Sequence, residues 1–233
     1  MTVAAEVGGE LWQLTGTQAR LSCGALRATI DLAAPSAGMS ELEFRAAPLG
    51  GSLAGLVWDE GPAASGSPSP IWPTEAYVRG ADLVALYRET PARRYSVHAY
   101  WSLAAPTGTN LATLDATLSL QTRQWEAYPR LSVISRLSAD LEILNPSGII
   151  LRPVGSDWSL VQASLPEDFQ LLPPTELGAE GSAAAWTYGG HFMERGVIRR
   201  LRLRTAWVER DGDRRALETM QLALAAEQPP LTA

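Results

Sequence analysis

The chain of 233 residues has no lysine, one cysteine (Cys23) and two histidines (His98 and His191). Most chemistry that can be read from sequence needs His, Cys or Lys in clusters, so few mechanisms stay open. A single cysteine excludes an intramolecular disulfide, which makes a reducing cytoplasm the expected compartment. Cys23 has no partner histidine nearby and reads as a small packed hydrophobe rather than a nucleophile. Two histidines far apart in sequence make a zinc site depend on carboxylate ligands. No metal and no cofactor are expected.

Other motifs are missing as well. There is no G-x-S-x-G elbow for a serine hydrolase. The run Gly50-Gly51-Ser52-Leu53-Ala54-Gly55 lacks both the Walker and the dinucleotide patterns. Asp211-Gly212-Asp213 is too short for a calcium loop. All 19 basic residues are arginine, against 25 acidic ones, for a net charge of −6. That balance argues against nucleic-acid and anionic-membrane partners. Residues 1–10 have no basic start and no apolar core, so they do not read as a secretory signal. No run approaches the length of a membrane-spanning helix.

What the chain does have is strand-like alternation. Hydrophobic residues make up 46% and charged residues 19%, a globular rather than a disordered balance. In residues 111–121, Ala112, Leu114, Ala116, Leu118 and Leu120 share one phase, and Thr113, Asp115, Thr117 and Ser119 the other. This is the pattern of a half-buried antiparallel strand. Residues 94–103 repeat it, with Tyr95, Val97, Ala99, Trp101 and Leu103 against Arg94, Ser96, His98, Tyr100 and Ser102. Further strands are expected over 25–32, 41–46, 81–88, 130–137 and 183–188. A short helical turn is expected near 166–170. Residues 59–74 hold four prolines, two glycines and three serines and read as a surface loop, with Ile71 and Trp72 docking back. Residues 173–182 are a second irregular stretch. Neither separates differently composed halves, so the expectation is one domain over 1–233 with an antiparallel all-β sandwich fold.

Asp211-Gly212 is a strong two-residue turn signal. It predicts a C-terminal hairpin of 197–210 with 213–227, in which paired numbers sum to 423. Leu201 then faces Leu222, Leu203 faces Met220, and Trp207 faces Ala216. On the other face Arg202 meets Gln221 and Arg204 meets Thr219. Trp101 and Trp207, each on the apolar phase, are expected in the core.

Three constellations could carry chemistry. Arg200, Arg202 and Arg204 form a stripe beside Gln221, and arginine forks suit carboxylates, phosphates and sugar hydroxyls. The plain alternative is a solvated sheet face paired with acidic neighbours. His98 shares a polar face with Arg94 and Tyr100, an arrangement suited to acid catalysis or to a structural hydrogen bond. Tyr188-Gly189-Gly190-His191 places two rings across a tight turn, either as an aromatic platform with a polar tip or as a plain hairpin end.

The segment His98-Ala99-Tyr100-Trp101-Ser102-Leu103 resembles the His-x-Tyr-Phe-Asn-Leu strand of aldose mutarotases. The opening 26–44 is similar to the first strand pair of galactose-mutarotase-like sandwiches. The resemblance implies the large supersandwich fold of that family. It also implies a concave sheet face that binds sugar, with a histidine acid and a glutamate base at the anomeric hydroxyl, and His98 as a sugar-site residue. No histidine precedes His98, where the family carries a second one, so complete epimerase chemistry is not expected. The leading expectation is therefore a domain that binds a carbohydrate or a similar polar molecule. The alternatives are a sugar-active enzyme (an aldose epimerase or a polysaccharide lyase) using His98 or His191 with Tyr100 or Tyr188, and a non-catalytic module that presents a sheet face to a protein partner.

Overall fold

The computed structural model describes residues 11–58, 71–104, 110–172 and 182–227. Two large antiparallel sheets face each other. The first runs in the order β1 (Trp12–Thr15), β2 (Gln18–Cys23), β3 (Leu26–Asp31), β4 (Met39–Phe44), β6 (Gly51–Trp58), β12 (Arg130–Leu137), β17 (Ser182–Gly189) and β16 (Gln170–Leu172). The two-residue β5 (Ala47–Pro48) pairs with β4. The second sheet runs β13 (Ala139–Asn145), β14 (Gly148–Pro153), β15 (Trp158–Ser164), β19 (Ile198–Glu209), β10 (Asn110–Gln121), β9 (Ser96–Ala104), β8 (Asp82–Tyr87) and β7 (Glu75–Arg79). A separate ribbon joins β11 (Glu126–Ala127) to β18 (Met193–Glu194).

Period-two alternation builds these layers, as expected from sequence. In β9, Val97, Ala99, Trp101 and Leu103 point into the space between the sheets, and Leu114, Leu118 and Leu120 of β10 and Leu201, Leu203 and Trp207 of β19 join them. From the first sheet come Leu26, Met39, Phe44, Leu56, Val133 and Trp186. Phe44 meets Trp158 edge to face at 4.9 Å between ring centroids. Trp58 meets Tyr87 at 4.9 Å.

One buried polar network between the layers is satisfied across the gap, whereas Trp207 Nε1 has no hydrogen-bond partner among the described residues. Gln162 Nε2 on β15 donates to Ser135 Oγ on β12 (3.0 Å) and to Thr205 Oγ1 on β19 (3.1 Å), and Gln162 Oε1 accepts from Trp186 Nε1 (3.1 Å). Such a network fixes the relative slide of two apolar faces that would otherwise pack in several registers. Tyr87 Oη adds a tie to the carbonyl of Leu32 at 2.9 Å.

The strands expected before residue 211 all form, with ends shifted by a residue or two. The expected helical turn is present as a turn over 166–168, where Phe169 N donates to the Leu165 carbonyl at 3.1 Å. Of the first loop, 59–70 lie outside the described residues. Ile71 N bonds the Ala33 carbonyl at 2.9 Å and its side chain packs on the core, whereas Trp72 is 66% exposed rather than docked. Of the second irregular stretch, 173–181 lie outside the described residues.

The C-terminal hairpin does not form. A turn does fall at Asp211-Gly212, but Asp213–Ala226 then folds as helix α1. The apolar residues explain why. Ala216, Leu217, Met220 and Leu224 recur at helical spacing and lie on one stripe, whereas Leu222, which the hairpin would bury, is 74% exposed. The stripe packs on Ile150, Val161, Ala163, Ala206 and Val208, making a second core on the outside of the second sheet. β19 pairs instead with β10 and β15, so that Leu203 lies between Ala116 and Ser164.

Candidate functional site

The sequence candidates fall into three places. The first is the outer face of the second sheet. Its register sets Leu86, His98, Ser119 and Arg200 in one row, and Val84, Tyr100, Thr117 and Arg202 in the next. The polar phases of β9 and β19 therefore do share one face. Burial holds His98 below its usual range, with Glu75 opposing, and burial raises Tyr100. Ser119 Oγ, between His98 and Arg200, is buried with no hydrogen-bond partner among the described residues.

Much of the arginine stripe on this face is closed. Arg202 donates to Glu227 Oε2 at 2.7 Å and to the Leu224 carbonyl at 3.1 Å. Arg204 grips both oxygens of Asp115 at 2.6 Å and reaches Glu227 at 2.8 Å. Those hydrogen bonds hold the Arg204 guanidinium far above its ordinary value. Both forks are engaged in seating the end of α1. Gln221 sits on the helix, not on a strand beside Arg202, and exchanges two hydrogen bonds with Asn145 at 2.9 and 3.2 Å.

The second place is a hollow of about 580 Å³ at one end of the first sheet. It is built where β6, β12 and β17 reach their ends, closed by the turn over 166–168. Tyr188 and His191 both line it, with ring centroids 5.3 Å apart. They do not sit across a hairpin. After Gly190, whose φ is +80° and so suits glycine, the chain leaves the sheet and continues into β18, which pairs with β11. Trp58, Arg130, Ser132, Glu167, Asp168, Gln170 and Thr187 also line it.

Asp168 is the residue that sequence reading missed. Its Oδ2 accepts from Arg202 N at 3.2 Å, and its Oδ1 lies 3.5 Å from Arg199. Burial pushes its carboxyl up, against the opposing pull of Arg199 and of the Arg202 amide. Arg199 also donates to the Glu167 carbonyl and stands 5.9 Å from the Tyr188 ring centroid, with its Nε buried and unpartnered among the described residues. Burial likewise raises the Tyr188 phenol. The hollow thus combines ring faces with a carboxylate and a guanidinium, at a volume ordinary for small-molecule sites of roughly 300–1,000 Å³.

The third place is a hollow of about 260 Å³ lined by Arg93, Arg94, Tyr95, Glu126, Tyr128 and Arg130 among others. Arg94 lies just before β9 rather than on its polar face, and donates to Gln124 at 3.4 Å. Arg130 borders both hollows. Among the described residues, no three His, Cys, Asp or Glu side chains gather to hold a metal ion, and no helix is long and apolar enough to cross a membrane.

No protein-family model matches the chain, and no curated protein matches it. Among solved structures, it is similar to the 4-alpha-glucanotransferase from Thermococcus litoralis, with a TM-score of 0.44 and 8% identity over 82% of this chain. The match spans 37% of that enzyme's length.

Proposed function

We propose that the chain is a carbohydrate-binding domain of mutarotase-like architecture, and that the hollow at Tyr188, His191 and Asp168 is its ligand site. The observation that carries this reading is the composition of that lining. A pyranose is amphipathic, with apolar ring faces and a rim of hydroxyls. His191 supplies an exposed ring, backed by the largely buried rings of Tyr188 and Trp58, while Asp168, Arg130 and Gln170 supply an acceptor and donors for the rim. The test is calorimetric titration with neutral monosaccharides and uronic acids. His191→Ala and Asp168→Asn are each expected to weaken binding by tenfold or more, and unchanged affinity in both would overturn the assignment.

A second reading, sugar epimerisation at His98, has one observation in its favour. Glu75 is the carboxylate whose charge bears on His98 across the outer sheet face. A histidine acid and a glutamate base are the groups such chemistry needs. Polarimetry on freshly dissolved glucose and galactose decides it. The expected result is no acceleration. A rate increase removed by both His98→Ala and Glu75→Gln would move the function to that face.

A further inference from the structure

The ribbon of β11 and β18 breaks several rules of a stable surface. Trp125 is 81% exposed, Tyr128 57% and Phe192 52%. Single exposed apolar residues are ordinary, but a cluster of large aromatics marks a surface that meets something. Within the ribbon, Glu126 stands directly opposite Glu194, a destabilising like-charge pair in a sheet of only two residues per strand. Continuing that register puts Tyr128 beside Phe192, whose rings are 5.8 Å apart, and Trp125 beside Arg195, whose guanidinium carbon lies 5.6 Å from the indole centroid. Local violations of this kind collect where function requires them.

The cluster is continuous with the hollow described above. Phe192 directly follows His191, a lining residue of the larger hollow, and Tyr128 lines the smaller one. Arg130 joins the two. It lies across Gly189, where an added Cβ would stand 3.0 Å from Arg130 Cγ, and it borders both hollows. The run from Asp168 through His191 and Arg130 to Phe192 and Tyr128 is therefore one track on which aromatic faces alternate with charged groups, while Trp125 and Arg195 fall on the opposite phase of the ribbon with Ala127 and Met193. A flat apolar protein partner would leave Glu126, Glu194 and Arg130 facing apolar surface without partners, at a desolvation cost. A chain of sugar rings offers each aromatic a ring face and each charged group a hydroxyl.

We infer that the ligand is an oligosaccharide rather than a single sugar, with one end in the larger hollow and its following units on Phe192 and Tyr128. This inference rests on the carbohydrate reading of the hollow and adds the class of ligand. The probes are α-1,4- and β-1,4-linked gluco-oligosaccharides and oligogalacturonides of one to eight units, titrated against the whole chain. Affinity should rise with length beyond two units. Phe192→Ala together with Tyr128→Ala should lower the affinity of the longest ligand bound by tenfold or more, while leaving the shortest unchanged. Because both side chains are exposed, these variants should keep the wild-type melting temperature.

Binding that is independent of length, or lost equally for short and long ligands, would overturn the oligosaccharide inference and leave the hollow intact. No binding by any member of the panel would overturn both readings. Sedimentation provides a further outcome. Self-association that disappears in the variant lacking the Phe192 and Tyr128 rings would make the pair a contact between copies of the chain and would also overturn the inference.

Discussion

Arg202, on a central strand of the second sheet, donates to the backbone carbonyl of Leu224 in the last turn of α1, 3.1 Å away. The helix has no basic residue of its own in that turn. Its final carbonyls and the negative end of its dipole therefore take their cation from the sheet beneath. The same guanidinium holds Glu227, which Arg204 also grips. The stripe that looked from sequence like a ligand face is, at Arg202 and Arg204, the seat of the helix end.

Arg202→Met should therefore lower stability without changing ligand binding. Arg202 is only 8% exposed, but its partner Glu227 is 42% exposed and keeps Arg204, so it is not stranded by the loss. The cost should be about 2 kcal/mol, the scale of hydrogen bonds made to charged groups. Glu227→Gln should cost under about 1 kcal/mol because solvent screens that side of the pair. Urea unfolding of the two variants checks the order.

Gly148 on β14 lies under the middle of α1. A Cβ there would stand 2.6 Å from Gln221 Nε2 and 3.1 Å from both methyls of Leu217. The amide end of Gln221 can move, but Leu217 is fully buried and cannot. Gly148→Val should lift the helix and cost about 1–3 kcal/mol. It should also break the Asn145–Gln221 amide pair. Faster proteolysis near residue 212 at unchanged sheet content would report it.

The sandwich was largely legible, because alternation of apolar and polar residues carries strand phase directly. Trp101 and Trp207 are buried as that phase requires. The helix was misread because Ala216, Met220 and Leu224 satisfy both a period of two and a period of 3.6. Leu217 fits only the helix, and a run from 213 to 226 with one β-branched residue, Thr219, was the signal available. Tyr188 and His191 were visible through the glycine turn between them. Asp168 was not, since it reaches the hollow on a turn some twenty residues upstream and no local pattern places that turn beside β17. The expected turn near 166–170 was the only trace of it.

Iodide quenching separates the tryptophans. Trp12, Trp101, Trp186 and Trp207 are among the most buried side chains, while Trp125 and Trp72 are open. Replacing Trp72 and Trp125 by Phe should remove most of the quenchable fluorescence and leave the rest nearly insensitive. Strong residual quenching would mean that the inner and outer faces of the sheets are exchanged.

The acid limb of stability should contain two opposed contributions. Burial raises Asp213, but hydrogen bonds from Arg152 and Ser159 outweigh it and the carboxyl sits below its ordinary range. The Arg204 hydrogen bond does the same for Glu227. For both, the unfolded chain binds more protons than the native one between the two pKa values. Their stabilisation is thus present near neutrality and lost as pH falls through the depressed native values. Asp168 runs the other way. Its native pKa is raised, chiefly by burial, so the native state binds more protons, and its contribution is lost as pH rises through that value. Asp213→Asn should therefore fall further behind the wild type as pH rises from 3 to 7, whereas Asp168→Asn should gain on it over the same range. Urea midpoints at the two pH values measure both differences. Equal slopes for the two variants would show that burial does not dominate at Asp168, and would remove the physical distinction drawn between the helix seat and the hollow.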